Sequence, residues 1–195
     1  KVFKTLKKVD WMNEQDDAAA VFKVYQNQII KILKRYENRT KPFSDIEKDV
    51  HELRRELRWL SIYPQAFQGL IQLQPGDDIL DYLKNYLTPK IINSPYNKMP
   101  DGSGLEVHIM LHQNYYYALS WMIAELGKLK DNGLKIELLE ESISEVYKTK
   151  EKVSSLVYAL CENNQPTILQ ILSEAQKISN TFFDEKILEQ LVVTV

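Results

Sequence analysis

Apolar residues recur at helical spacing along most of this chain, and alternating strand-like runs are few. The clearest stripe lies in residues 44–61, SDIEKDVHELRRELRWLS, where Ile46, Val50, Leu53, Leu57 and Leu60 follow one another at steps of four and three. Ser44 stands at the N-cap of this helix and Glu47 three residues on completes a capping box. Upstream, residues 1–15 read as a short lead-in helix. Asp16 and Asp17 then cap a helix to about Tyr36, with Phe22, Tyr25, Ile29, Leu33 and Tyr36 inward.

Downstream of Pro64 the pattern predicts a helix to Gln74, a turn at Pro75-Gly76, and a helix over Ile79–Leu87 capped by Asp77 or Asp78. Residues 89–104, with Pro89, Pro95, Pro100, Gly102 and Gly104, read as a linker between an N-terminal half (1–88) and a C-terminal half (105–195). In the second half, a helix from Leu105 to about Lys130 is broken at Asp131-Asn132-Gly133. Residues 134–162 follow as a long helix, then one from Pro166 to Ile178, and a last short one from Thr181 or Asp184 to Val193. The expected architecture is all-α: two successive antiparallel helical bundles of roughly eight helices in one compact domain.

Composition narrows the function classes. The 195 residues can bury a sizeable core, and 44% apolar with 27% charged residues is ordinary for a globular domain. A net charge of −2 argues against nucleic acid or an acidic membrane surface as partner. The charge is uneven, however. Residues 1–60 hold fourteen Lys and Arg against ten Asp and Glu, and the remainder eleven against seventeen, which places any anion site in the first third. The single Cys161 allows no intrachain disulfide and fits a reducing compartment. No apolar run approaches the roughly 18 residues that span a bilayer. The chain opens at Lys1 without Met or a signal-peptide pattern, leaving room for residues ahead of it, and the expected localisation is cytoplasmic.

Chemistry is sparse. His108 and His112 stand four apart, a spacing that binds zinc from a helix, but the Glu of H-E-x-x-H is absent, and no His follows Glu-x-x. No phosphate loop, nucleophile elbow or Cys/His pairing is present. The Tyr115-Tyr116-Tyr117 run fits a core edge better than a ligand platform. No catalytic residue, metal or cofactor is therefore assigned, and binding rather than catalysis is expected. The one dense constellation is a second stripe on the 44–61 helix: Glu47, His51, Arg54, Arg58 and Ser61, about 100° round from the apolar one. Like charges stacked at this spacing repel and call for an anion opposite, either a protein carboxylate or a bound phosphate. Arg55 lies about 60° from Arg58 on the solvent side. Lys31 and Lys34 crowd the end of the preceding helix, where they either complement its dipole or join the anion site.

The run VHELRRELRWL, with His51-x-x-Arg54-x-x-x-Arg58 after an apolar-striped helix, resembles the CHAD domain family. The resemblance covers about residues 17–73. It implies two similar helical halves around a basic channel that binds inorganic polyphosphate, with His51, Arg54 and Arg58 facing that channel. Trp59 and Ser61 stand where the family carries further basic residues. In the second half Glu106, Ile109 and Gln113 replace its His, Arg and Lys. The expected function is thus non-enzymatic binding of polyphosphate or another phosphate-rich anion. The alternative is a degenerate CHAD-like helical scaffold or protein-interaction module with its Arg stripe satisfied internally.

Overall fold

In the computed structural model, residues 14–37, 39–67, 69–76, 81–106, 108–149 and 155–193 are described. They are mostly helical, as the apolar spacing requires, but hold five helices and a small two-stranded sheet rather than about eight helices in two bundles. The lead-in segment 1–13, the Asp77/Asp78 cap and the Cys161 side chain lie outside the described residues.

Helix α1, Glu14–Tyr36, buries Ala18, Val21, Tyr25, Ile29, Ile32 and Tyr36, one stripe at steps of three and four. The chain then enters a wide π turn, Ile46–His51, that runs directly into α2, Glu52–Ile62. The capping box of Ser44 and Glu47 does not form. Asp45 is the cap instead, its carboxylate accepting from the Lys48 amide at 2.8 Å. Asp49 gathers the loop ahead of it: it accepts from the Ser44 amide (2.7 Å), the Asp45 amide (3.1 Å) and Arg39 Nη2 (2.6 Å). The Ser44 amide, which the Glu47 carboxylate would bind in a capping box, is taken by Asp49 instead.

Beyond α2, the helix expected to reach Gln74 is a single 3-10 turn, Pro64–Phe67, followed by strand β1, Ile71–Gln74. Of the helix expected over 79–87, the described residues hold one 3-10 turn, Asp81–Asn85. The segment 89–104 carries a short helix α3, Pro89–Ile92, and a 3-10 turn, Pro95–Asn97, and it buries Ile91 and Asn97. Strand β2, Ile109–His112, replaces the start of the helix expected at Leu105. It pairs in parallel with β1, Ile71 opposite Ile109 and Leu73 opposite Leu111. On its other edge the His112 amide donates to Leu191 O (2.8 Å) and the Val193 amide to Met110 O (3.0 Å). His108 and His112 are therefore four apart on extended chain, not one turn apart on a helix. The reason is that strand pairing depends on partners 38 and some 80 residues away, which no local period reports.

Helix α4, Gln113–Thr149, runs unbroken through Asp131-Asn132-Gly133. Its 37 residues span about 55 Å. Asp131 and Asn132 face solvent, while Gly133 is buried against Ile46 of the π turn. Close packing, not chain reversal, is what the glycine serves. Helix α5, Ser155–Asp184, contains Pro166 inside it rather than at its first turn. No final helix to Val193 forms: α5 ends in turns in which Lys186 takes a left-handed conformation (φ 52°), and the chain closes against β2.

One core joins all of this. Leu53, Leu57 and Leu60 of α2 share it with Tyr25 and Ile32 of α1, with Tyr116, Leu119, Met122 and Leu126 of α4, and with Ala175 and Phe182 of α5. Among the described residues no helix is long and apolar enough to cross a membrane.

Candidate anion-binding site

The helical geometry of α2 splits its cations between two faces. Glu56 is two residues from both Arg54 and Arg58, hence about 160° away from each round the helix. On the Glu56 face two basic groups share one carboxylate. Its Oε1 accepts from Lys31 Nζ and from Arg35 Nη1, each at 2.9 Å, while the carboxylate itself is only 7% exposed. The Arg35 guanidinium lies over the Tyr36 ring, 5.2 Å from its centroid. Lys34 sits exposed on α1.

His51 and Arg55 are held locally. His51 Nδ1 is 2.9 Å from Glu47 Oε2, one turn back, and Arg55 Nη2 is 2.6 Å from Glu52 Oε2. Neither reaches the groove described next. Two of the six side chains singled out from the sequence, Arg54 and Arg58, come together in one concave site.

That site is a groove of about 490 Å³ between α2, α3 and α4. Its cations are Arg54, Arg58 and Lys90, and no carboxylate lines it. Ser61, Ser94 and Ser120 also line it, the Ser94 hydroxyl accepting from the Tyr96 amide and the Ser120 hydroxyl donating to Asn97. Arg54 is half-buried and donates from Nε to Ile123 O at 3.2 Å, because Gly127, one turn further along α4, leaves room for the guanidinium. A Cβ at Gly127 would stand 2.9 Å from Arg54 Nε. Burial pushes the Arg54 guanidinium below its ordinary pKa, the like charge of Arg58 adds to this, and Asp131 acts against both. Among the described residues neither Arg54 nor Arg58 forms an ion pair with a carboxylate.

Lys90 and the neighbouring Tyr96 carry no signal of a site in the sequence, because they lie in the Pro-rich stretch that reads as a linker. Thr88 N-caps α3 with Pro89 behind it, which seats Lys90 in its first turn, and Ser94 N-caps the turn that carries Tyr96. A Thr-Pro and a Ser-Pro pair are cap signals as well as breakers, and that was the available clue.

Other candidates are weaker. His108 Nε2 is 2.8 Å from Gly102 O, beside the close approach of Gly69 (φ 97°) to Gly102. Tyr115 and Tyr116 are buried, the latter donating to Ser61 O at 2.7 Å. Among the described residues no group of three or more His, Cys, Asp or Glu side chains is placed to hold a metal ion. Compared with protein-family models, with curated proteins and with solved structures, the chain shows no match.

Proposed function

We propose that this chain binds a phosphate-rich anion in the groove of Arg54, Arg58 and Lys90, without transforming it, in a cytoplasmic setting. The observation that carries the reading is a concave site lined by three cations and no carboxylate, in which half-buried Arg54 makes no salt bridge among the described residues and feels Asp131 only at longer range. Desolvating a guanidinium that no carboxylate touches is unfavourable, and an incoming phosphate relieves it through two parallel N–H···O bonds. Beside the three cations the lining is serine, glutamine, Tyr96 and apolar side chains. The likeness to CHAD chains, with the two-bundle layout and polyphosphate ligand that it implies, supports the proposal only through the Arg54-x-x-x-Arg58 spacing.

The test is titration with fluorescently labelled polyphosphate at two salt concentrations, for the wild type and Arg54→Ala/Arg58→Ala. Binding should weaken with salt at a log–log slope of roughly −2, the value for three neutralised phosphates, and disappear in the double variant. Binding that survives the double substitution, or salt-independent binding, sinks the reading.

A second reading, as a helical scaffold for a protein partner, draws on Leu138, Leu139 and Leu169, large apolar side chains left exposed on the outer parts of α4 and α5. Replacing all three by Ser should then abolish complex formation and leave anion binding intact.

A further inference from the structure

The groove is not only basic. Tyr96 and Ile62, 72% and 51% exposed, stand at the same site as Arg58 and Lys90, and Ile123 and Ala124 continue the apolar surface inward. An inorganic phosphate chain is charged along its whole length and gains nothing from covering such side chains.

The turn that presents Tyr96 is fixed to the body of the protein at several points. The Tyr96 amide donates to Ser94 Oγ at 3.3 Å, and its carbonyl accepts from Gln65 Nε2. The next residue, Asn97, is buried; it donates to Ile91 O at 2.6 Å and accepts from Ser120 Oγ on α4. A backbone held this firmly with its ring left in water is a pre-ordered aromatic platform.

Length points the same way. Lys31 and Arg35 lie on the opposite face of α2, where both are bound to Glu56. Along α4, Lys128 and Lys130 are paired with Glu125 and Asp131. The volume of about 490 Å³ falls within the range of roughly 300–1,000 Å³ that small-molecule sites occupy.

We infer that the occupant is a nucleotide, a small phosphate ester carrying an aromatic base, with its phosphates on Arg54, Arg58 and Lys90 and its base against Tyr96 and Ile62. This rests on the anion-binding reading and narrows its ligand class. Stacking on an exposed aromatic side chain accepts any base, because every base has a π face, so the site discriminates nucleotide from inorganic phosphate more than one base from another.

Calorimetric titration with ATP and with inorganic tripolyphosphate, in magnesium-free buffer, separates the two levels of the argument. For the wild type, ATP should bind about tenfold more tightly than tripolyphosphate. Tyr96→Ala, at an exposed side chain whose anchoring bonds are made by the backbone, should erase that difference and leave tripolyphosphate binding unchanged. Arg58→Ala/Lys90→Ala should weaken both ligands. Equal affinities in the wild type, or ATP binding indifferent to Tyr96→Ala, overturn the nucleotide inference while anion binding stands. Failure of both ligands to bind, or binding indifferent to Arg58→Ala/Lys90→Ala, overturns the anion site as well.

Discussion

Gly133→Ala is expected to destabilise this protein, although an alanine in the middle of a helix ordinarily does the reverse. Gly133 lies inside α4, where alanine gains about 1 kcal/mol over glycine from helix propensity alone. A Cβ there would stand 2.8 Å from Ile46 Cδ1, 2.9 Å from Cγ1 and 3.1 Å from Cγ2. Both branches of the isoleucine are involved, so rotation about its Cα–Cβ bond exchanges one clash for another. Ile46 is fully buried in the π turn and cannot swing into solvent. Overpacking of this kind costs about 1–3 kcal/mol, which leaves a net loss of about 1 kcal/mol and a fall in Tm of about 2–4 °C for a chain of this size.

The assay is urea unfolding followed by far-UV circular dichroism, comparing midpoints at constant m-value. Ile46→Val removes the atom of closest approach. Alone it should cost about 0.5–1.5 kcal/mol, and in the Gly133→Ala background it should cost nothing or restore stability. The resulting coupling of about 1 kcal/mol is the signature of direct contact. A Gly133→Ala variant that is more stable than wild type, with an additive Ile46→Val effect, would refute the packing argument.

Gly127→Ala offers the contrast on the same helix: the atoms in its way are the mobile end of Arg54, so stability should hold or rise by up to about 1 kcal/mol while anion affinity drops severalfold, as read by unfolding and titration together. Asp49 should govern the acid limb of stability. Burial raises its pKa, but the Ser44 amide and the Arg39 guanidinium outweigh that and hold the carboxyl below its ordinary value. Its stabilisation is therefore present above the unfolded value near pH 4 and is lost as pH falls through the lower folded value. Asp49→Asn should cost about 2 kcal/mol at neutral pH and flatten the fall in stability on acidification, measured by unfolding between pH 3 and 7 as an approximate range. Lys31→Ala should leave anion binding unchanged, because Lys31 is committed to Glu56 on the far face of α2; a loss as large as that of Arg58→Ala would join the two faces into one site.

Helical class, the end of α1 at Tyr36 and the inward stripe of Ile46, Val50, Leu53, Leu57 and Leu60 were legible along the chain, because a period of 3.6 is a local property and burial follows it; the start of α1 was not, since Asp16 and Asp17, expected as its caps, lie inside the helix. So was the pairing of Arg54 with Arg58, four apart on one face. What that local grammar cannot report is distance across the fold. Ile71 to Gln74 reads as helix until Ile109 to His112 comes alongside to take its backbone bonds. Asp131-Asn132-Gly133 reads as a break until Ile46 fills the notch that the glycine leaves. The division of the cations is of the same kind: Lys31 and Lys34 look like partners of Arg54 in sequence, and the carboxylate of Glu56 draws Lys31 away to the other side of α2. Lys90 and Tyr96, in a stretch that reads as a linker, meet Arg54 and Arg58 only because the capped turns at Thr88 and Ser94 pack back on α4. Periodicity sets which face of an element is buried; which faces meet, and so which charges share a groove, is decided by tertiary packing between residues far apart in the chain.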